Sequence, residues 1–335
     1  MSGRTVGLDT RGVVSLRVSR SDGAQPESPA SARLQRCEHK PIADAELLIV
    51  GCVRNGARTL RRSVETLARA TGGFGRVQFL VIESDSSDQT LAELQRLRGE
   101  INSFQFTSLG ALAARMPART ERIAVCRNRY LDEVRHDHQY ASVDYVMVAD
   151  LDGVNHDLRV EALATCWASP WPWDVVTANQ SDAYCDIWAL RHPDWCPVDC
   201  HDQYARLRDL FGHPRALVIA IHSRMARLDP RAEWIEVDSA FGGLAVYRRE
   251  ALLSGRYCGV HEGCAVCEHV PLHAELHAKG YRIFINPALI NAHRTDHSAR
   301  VRFIVRLRRQ IESVGHRLRS RLIQHSATER RFDRH

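Results

Sequence analysis

The chain has 335 residues, 44% apolar and 26% charged, enough for one large domain or two small ones and outside the range of disordered or collagen-like chains. Lys and Arg number 46 against 40 Asp and Glu, a formal net charge of +6, but residues 300–335 alone hold eleven Arg and three acids, leaving −2 on the first 299 residues. The basic character belongs to a C-terminal tail, which argues against a nucleic-acid surface across the body.

No run of about 18 apolar residues occurs, so no transmembrane helix is predicted, and the first forty residues lack the apolar centre of a secretory signal. The expected location is cytoplasmic, where ten cysteines stay mostly as buried thiols. A zinc site using Cys196, Cys200, Cys264 and Cys267, or one or two disulfides, are the alternatives.

Residues 1–44 read as a flexible leader around Gln25-Pro26-Glu27-Ser28-Pro29. Leu47 to Val53 is a continuous apolar run, the mark of a strand covered on both faces. Leu60, Val64, Leu67 and Ala68 then follow at helical spacing, closed by Gly72-Gly73. Val77–Ile82 predicts a second strand; Leu91, Leu94 and Leu97 stripe a second helix; Phe104–Leu109 predicts a third strand. Ile123–Val134 reads as helix and Val143–Val148 as a strand running into Asp150. This alternation predicts an α/β fold, a mostly parallel sheet with helices on both faces. Ligands of such sheets gather beyond the carboxyl ends of the strands, so residues 45–155 are expected to form a nucleotide-binding half. From 156 to 298 a second half of the same domain is expected, loop-rich over 170–232. It continues with strand pieces between Trp234 and Tyr247 that Gly242-Gly243 interrupts. A helix over Pro271–Lys279 stops at Gly280, and strands are expected at Tyr281–Ile285 and Ala288–Ile290.

Asp150-Leu151-Asp152 carries the strongest chemical signal. A buried strand delivers two carboxylates to the ligand-binding rim, where their mutual repulsion suits a divalent cation with positions open for nucleotide phosphates. A pair of turn-capping acids is the alternative. Glu83-Ser84-Asp85-Ser86-Ser87-Asp88-Gln89-Thr90 leaves the second strand. Its residues can cap the next helix, and Glu83 and Asp85 can equally meet a base or ribose. Arg127-Asn128 sits in a helical stretch, where a guanidinium suits a diphosphate. Phe241-Gly242-Gly243 brings backbone close to a ligand or simply forms a bulge. His269, His273 and His277 share a helix face and read as a packed or solvated stripe, since no zinc-protease pattern accompanies them.

In this order the motifs resemble glycosyltransferases of the GT-A fold over about residues 45–295. Within that fold the chain is most similar to the CAP59-like mannosyltransferases, through Arg122–Arg129, Tyr184–Arg191, and Cys267-Glu268-His269 ahead of Gly280 and Asn286-Pro287. The resemblance implies Mn²⁺ or Mg²⁺ held by Asp152, Asp150 and His293. It further implies a GDP- or UDP-linked sugar donor, contacted by Glu83, Asp85, Arg127, Asn128 and Asp150, with mannose as one sugar. Arg127 would assist the leaving diphosphate, and Glu268 would act on the acceptor hydroxyl of a glycan or lipid-linked molecule. A nucleotidyltransferase acting on sugar phosphates and a non-catalytic nucleotide- or sugar-binding module remain as alternatives. The lack of a Gly-rich phosphate loop near the first strand counts against the former.

In the tail, Ile304, Leu307, Ile311, Val314, Leu318 and Leu322 are spaced as an amphipathic helix over an Arg-rich polar face. It can pack on the body, pair with another chain, or lie peripherally at the inner face of an anionic membrane.

Overall fold

Alternate residues of each apolar run part to opposite sides of a single twisted sheet, and helices cover both sides. The computed structural model describes residues 39–293 and the backbone of two short strands before them. In chain order the elements are β1 (Val6–Leu8), β2 (Val14–Leu16), β3 (Glu46–Val53), α1 (Leu60–Ala70), β4 (Arg76–Glu83), α2 (Thr90–Glu100) and β5 (Phe104–Ser108). Then come α3 (Arg119–His136), β6 (Tyr145–Ala149), α4 (Val160–Ala164), β7 (Val175–Gln180), α5 (Cys200–Phe211), α6 (His213–Ala220) and β8 (Ile235–Glu236). The chain continues with β9 (Leu244–Arg248), α7 (Arg249–Leu253), β10 (Val260–His261), β11 (Cys264–Ala265), α8 (His269–Ala278) and β12 (Ile283–Ala292).

Eight strands form the main sheet in the order β5-β4-β3-β6-β9-β7-β12-β8. All pairings are parallel except those that β9 makes with β6 and β7 and that β8 makes with β12. Leu48, Val50, Leu80, Ile82, Val146 and Val148 point to the side covered by α3, α7 and α8. Leu47, Ile49, Phe79, Val81, Tyr145 and Met147 point to the side covered by α1, α2 and α4. Each such fully buried aliphatic side chain contributes about 1.5–3 kcal/mol of burial free energy. The expected α/β architecture with a mostly parallel, doubly covered sheet is the one observed.

Several local readings change. Strand β7 lies in the stretch expected to be loop-rich; Thr177 and Asn179 on one face and Gln180 on the other are polar and nonetheless buried. The same stretch also holds α5 and α6. The two short strands expected at 281–290 are one strand, β12, whose register slips between Ile285 and Ile290 where Asn286-Pro287 bulges. Leu91 is 39% exposed, because α2 starts at Thr90 and turns Thr90, Leu94 and Leu97 inward instead. Within the expected leader, β1 and β2 pair antiparallel, Val6 opposite Leu16. No disulfide joins the nine described cysteines, and among the described residues no helix is long and apolar enough to cross a membrane. The amphipathic tail lies outside the described residues.

Candidate functional site

The connection from β3 through α1 leads to β4 on one side, and the connection from β5 through α3 leads back to β6 on the other. Strand order therefore reverses between β3 and β6, and a crevice opens at their carboxyl ends. Asp150 and Asp152 follow β6 at that point. The intervening Leu151 is buried and anchors the loop in the core, while its carbonyl accepts hydrogen bonds from Thr59 Oγ1 and Ser63 Oγ, each at 3.2 Å. Asp152 is exposed, its Oδ1 accepting from the Val154 amide at 3.0 Å.

Arg127 comes to the same place from α3. It is 5% exposed; its Nε donates to Glu268 Oε1 at 2.8 Å and its Nη2 to Asp150 Oδ1 at 3.4 Å. The guanidinium also lies over the rings of Phe241 and Tyr257, 5.1 and 5.5 Å from their centroids, an arrangement favourable to a permanent cation. Glu268, 6% exposed, is the residue from which α8 starts. His269 stacks on Phe241 at 3.9 Å, and burial, with Arg127 and His273 nearby, holds its imidazole neutral, well below the ordinary range.

A fourth carboxylate completes the cluster. Asp186 Oδ2 accepts from the Gly242 amide at 2.9 Å. Its carboxyl is raised by burial and by Glu268, against the backbone bonds from Gly242 and Ala189 and the charge of Arg127. Asp150 is pushed up to about 7, first by desolvation and then by Asp152, Asp186 and Glu268, with Arg127 opposing. Asp150 and Glu268 thus contact the one guanidinium, Asp186 lies within reach of its charge, and Asp152 adds its own beside Asp150. Among the described residues no group of three or more His, Cys, Asp or Glu comes together as a metal cage. Two rim carboxylates are nevertheless a sufficient protein share for Mg²⁺ or Mn²⁺ when substrate phosphates supply further oxygens. The donor set fits an ion that arrives with a phosphorylated ligand.

Beneath the acids lies a buried amide network. Asn155 Nδ2 donates to the carbonyls of Asp150 and Gly243 at 2.9 and 3.0 Å. Asn291 Nδ2 bridges Asn155 Oδ1 and the Gly242 carbonyl at 2.7 and 2.8 Å, and Gln180 Nε2 bonds that carbonyl and Asn291 Oδ1 at 2.8 and 3.1 Å. These bonds tie the ends of β7, β9 and β12 to the Asp150 loop. Gly242 and Gly243 have φ of +71° and +82°; a Cβ on Gly242 would stand 2.6 Å from the Ala178 carbonyl oxygen, and one on Gly243 2.7 Å from Val154. Their lack of side chains is thus required by the protein's own packing.

The other expected site residues are placed differently. Glu83 is buried; Oε1 accepts from the Ser86 amide at 2.9 Å and Oε2 from the Ser108 hydroxyl. Asp85, at φ +58°, accepts from the Ala113 amide at 2.7 Å and pairs with Arg122 at 3.6 Å. Both build the turn after β4, and the cap of α2 comes instead from Asp88, whose Oδ1 accepts from the Thr90 amide at 3.0 Å. Asn128 staples α3 to Tyr257, donating to its carbonyl and accepting from its amide at 2.9 and 3.0 Å. His293 is exposed after β12, with Nδ1 2.6 Å from Ser181 Oγ and its amide donating to Asp157 Oδ2 at 2.7 Å. The histidine stripe is packed: His273 sits between Ser239 Oγ and Tyr247 OH at 2.9 and 2.8 Å. Asp186 and the three amides were not singled out in sequence. Gln180 and Asn291 carry the signal of a polar side chain at a strand end, whereas Asn155 and Asp186 lie in the loops after β6 and β7 and carry none.

No protein-family model matches this sequence, and no curated protein matches it. Among solved structures the chain is similar to the mannosyltransferase PcManGT from Pyrobaculum calidifontis in complex with GDP-Man and Mn²⁺, at 16% identity over 78% of this chain and 62% of that one, TM-score 0.43. It is similar to S. aureus TarS 1-349 in complex with UDP-GlcNAc at 14% identity over 76% and 60%, TM-score 0.42. A third is glucosyl-3-phosphoglycerate synthase from Mycobacterium tuberculosis with Mn²⁺, UDP and phosphoglyceric acid, at 15% identity over 81% and 73%, TM-score 0.37. The chain spans about three fifths of the length of the first two.

Proposed function

We propose that the chain is a metal-dependent glycosyltransferase that moves a sugar from a nucleotide-diphosphate donor, GDP- or UDP-linked, to a hydroxyl of a glycan or lipid-linked acceptor. The observation that carries this reading is the convergence of Asp150 and Asp152, at the point where strand order reverses, with the Arg127–Glu268 pair. Residues 45–155 would form the donor half and 156–298 the acceptor half. The resemblance to the CAP59-like group makes mannose the first sugar to try, and the Arg-rich tail suggests work at an anionic membrane.

A bound divalent ion would supply Lewis-acid neutralisation of the diphosphate, held by Asp152 and Asp150 with His293 as a further candidate. Arg127 would turn from its longer contact, Asp150, toward the departing diphosphate. Glu268 would take the proton of the acceptor hydroxyl as the acceptor oxygen bonds the anomeric carbon. The bond from that carbon to the phosphate oxygen breaks, and its electron pair leaves with the nucleoside diphosphate.

A nucleotide sugar at about 100 times its Kd, with Mn²⁺, adds about 2.7 kcal/mol of stability, a rise of about 5 °C or more in melting temperature. Asp152→Asn should abolish that shift. Glu268→Gln should keep it, relative to the variant's own baseline, and lose transfer. No shift with any GDP- or UDP-sugar in the presence of Mn²⁺ defeats the proposal, and release of nucleoside diphosphate across a donor panel identifies the sugar.

A further inference from the structure

Six large apolar residues stand exposed among the described residues, and four of them, Val198, Leu210, Phe211 and Ile219, fall within 22 residues of one another. They belong to the α5–α6 helical hairpin and the residues leading into it. Leu210 is 74% exposed and Phe211 49%, side by side at the turn where Gly212 takes φ +76°. The hairpin is poorly covered: α5 buries only Cys200, and α6 only Ala216 and Ala220. Concentrated exposure of this kind marks a contact surface.

Charge selects the partner. Over α5 and α6 the exposed ionised side chains are Arg206, Arg208 and Arg215 against Asp202, in the first turn of α5, and Asp209. Arg208 lies 3.2 Å from Asp209, and Asp202 lies eight residues before Leu210, so the positive charge nearest the Leu210–Phe211 turn comes from Arg206 and Arg215. A second copy of the chain would set these arginines against their own counterparts. The tail, with eleven Arg to three acids, carries the same sign. Large apolar side chains beside arginine suit a negatively charged lipid interface, where the apolar groups enter the acyl boundary and guanidinium groups meet headgroup phosphates. Neither helix is long and apolar enough to cross a bilayer.

We infer that the α5–α6 hairpin is an interfacial anchor for an anionic phospholipid surface, with Leu210 and Phe211 as its inserted tip. This surface is distinct from the C-terminal tail, and the inference does not depend on the reaction the crevice performs. The test uses the full chain, pelleted with phosphatidylcholine vesicles with and without phosphatidylserine. Amide hydrogen exchange is followed over residues 204–220.

Phosphatidylserine vesicles should protect that segment. The double variant Leu210→Glu/Phe211→Glu should lower the partition at least about tenfold, and Leu91→Glu, an exposed apolar residue on α2, should leave it unchanged. The inference is overturned by absence of protection in 204–220, by an unchanged partition in the double variant, or by equal binding to pure phosphatidylcholine. Protection that grows with protein concentration without vesicles would assign the patch to a second copy, and would overturn it too.

Discussion

Removing one member of the Arg127–Glu268 pair should be far more damaging than removing both. The two side chains are 5% and 6% exposed and meet at 2.8 Å, so neither charge has water to fall back on. Arg127→Met keeps the stem between Phe241 and Tyr257 but leaves Glu268 buried without its cation. Breaking a buried pair on one side costs about 3–5 kcal/mol, a third or more of the stability of many domains. The double variant Arg127→Met/Glu268→Gln carries neither charge and should recover all but about 1–2 kcal/mol, the residue reflecting a buried amide with fewer partners. Urea unfolding at pH 7.5 with matched m-values measures both. The deficit of the single variant should also shrink at pH 5.5, since protonation relieves an orphaned carboxylate and does nothing for lost packing. A single variant within 1 kcal/mol of the parent, or a double variant at the sum of two singles, would refute the reasoning.

Burial holds His269 well below the ordinary imidazole range and lowers His273 to about 3. The unfolded imidazoles, near ~6.5, take up protons that the folded ones refuse, so stability present above that pH is lost as pH falls, about 2 kcal/mol per residue by pH 5. The stability difference between the parent and His273→Gln should narrow by that amount from pH 8 to pH 5; a constant difference in urea midpoints contradicts it. Gly242→Ala combines positive φ with a 2.6 Å approach to a carbonyl and should cost about 3 kcal/mol or more. Gly212→Ala, at φ +76° and ψ 162° in open space, carries the backbone strain alone, about 1–3 kcal/mol, and equal losses in melting temperature would show that the close approach is irrelevant. Desolvation, then Asp152, Asp186 and Glu268, raise the Asp150 carboxyl toward about 7 from ~3.9 unfolded. Its side chain is 41% exposed, so solvent screens part of the effect, and the folded state loses a small part of its stability as pH rises above about 4. Without metal or ligand, Asp150→Asn should therefore melt above the parent at pH 8 and near it at pH 5. A variant less stable than the parent at both pH values would contradict this.

The sheet was legible where strands are apolar on both faces, as in Leu47–Val53 and Val77–Ile82, because only burial from two sides tolerates such runs. Strand β7 was not, since Thr177, Asn179 and Gln180 look like loop residues until the bonds of Asn179 Nδ2 to the Pro287 carbonyl and Gln180 Nε2 to the Gly242 carbonyl are known. The same blindness hid part of the site. Asp150, Asp152, Arg127 and Glu268 could be found from carboxylates at strand ends and from motif resemblance. Asp186 depends on a turn that returns it to Gly242, and Asn155 and Asn291 depend on a contact 136 residues apart in sequence. Glu83 and Asp85 lie in an acidic run after a strand that reads equally well as ligand contacts or turn formers, and their bonds to Ser86, Ser108 and Ala113 supply the turn-forming part.

The charge of the crevice constrains what can enter it. Asp150, Asp152, Asp186 and Glu268 gather around a single guanidinium that contacts Asp150 and Glu268 and whose 2.8 Å bond is already given to Glu268. A bare diphosphate approaching this rim meets net negative charge, and Arg127 can greet it fully only by leaving Glu268 buried and unpaired, at the several kcal/mol reckoned above. Divalent charge carried by the diphosphate changes the balance: Asp150 and Asp152 then become attractive, and Arg127 can keep Glu268 while a second nitrogen turns to the phosphate. If a nucleoside diphosphate binds here, its affinity must depend steeply on the divalent ion. Nucleotide binding of equal strength with and without chelator would show that the acids serve some other cation.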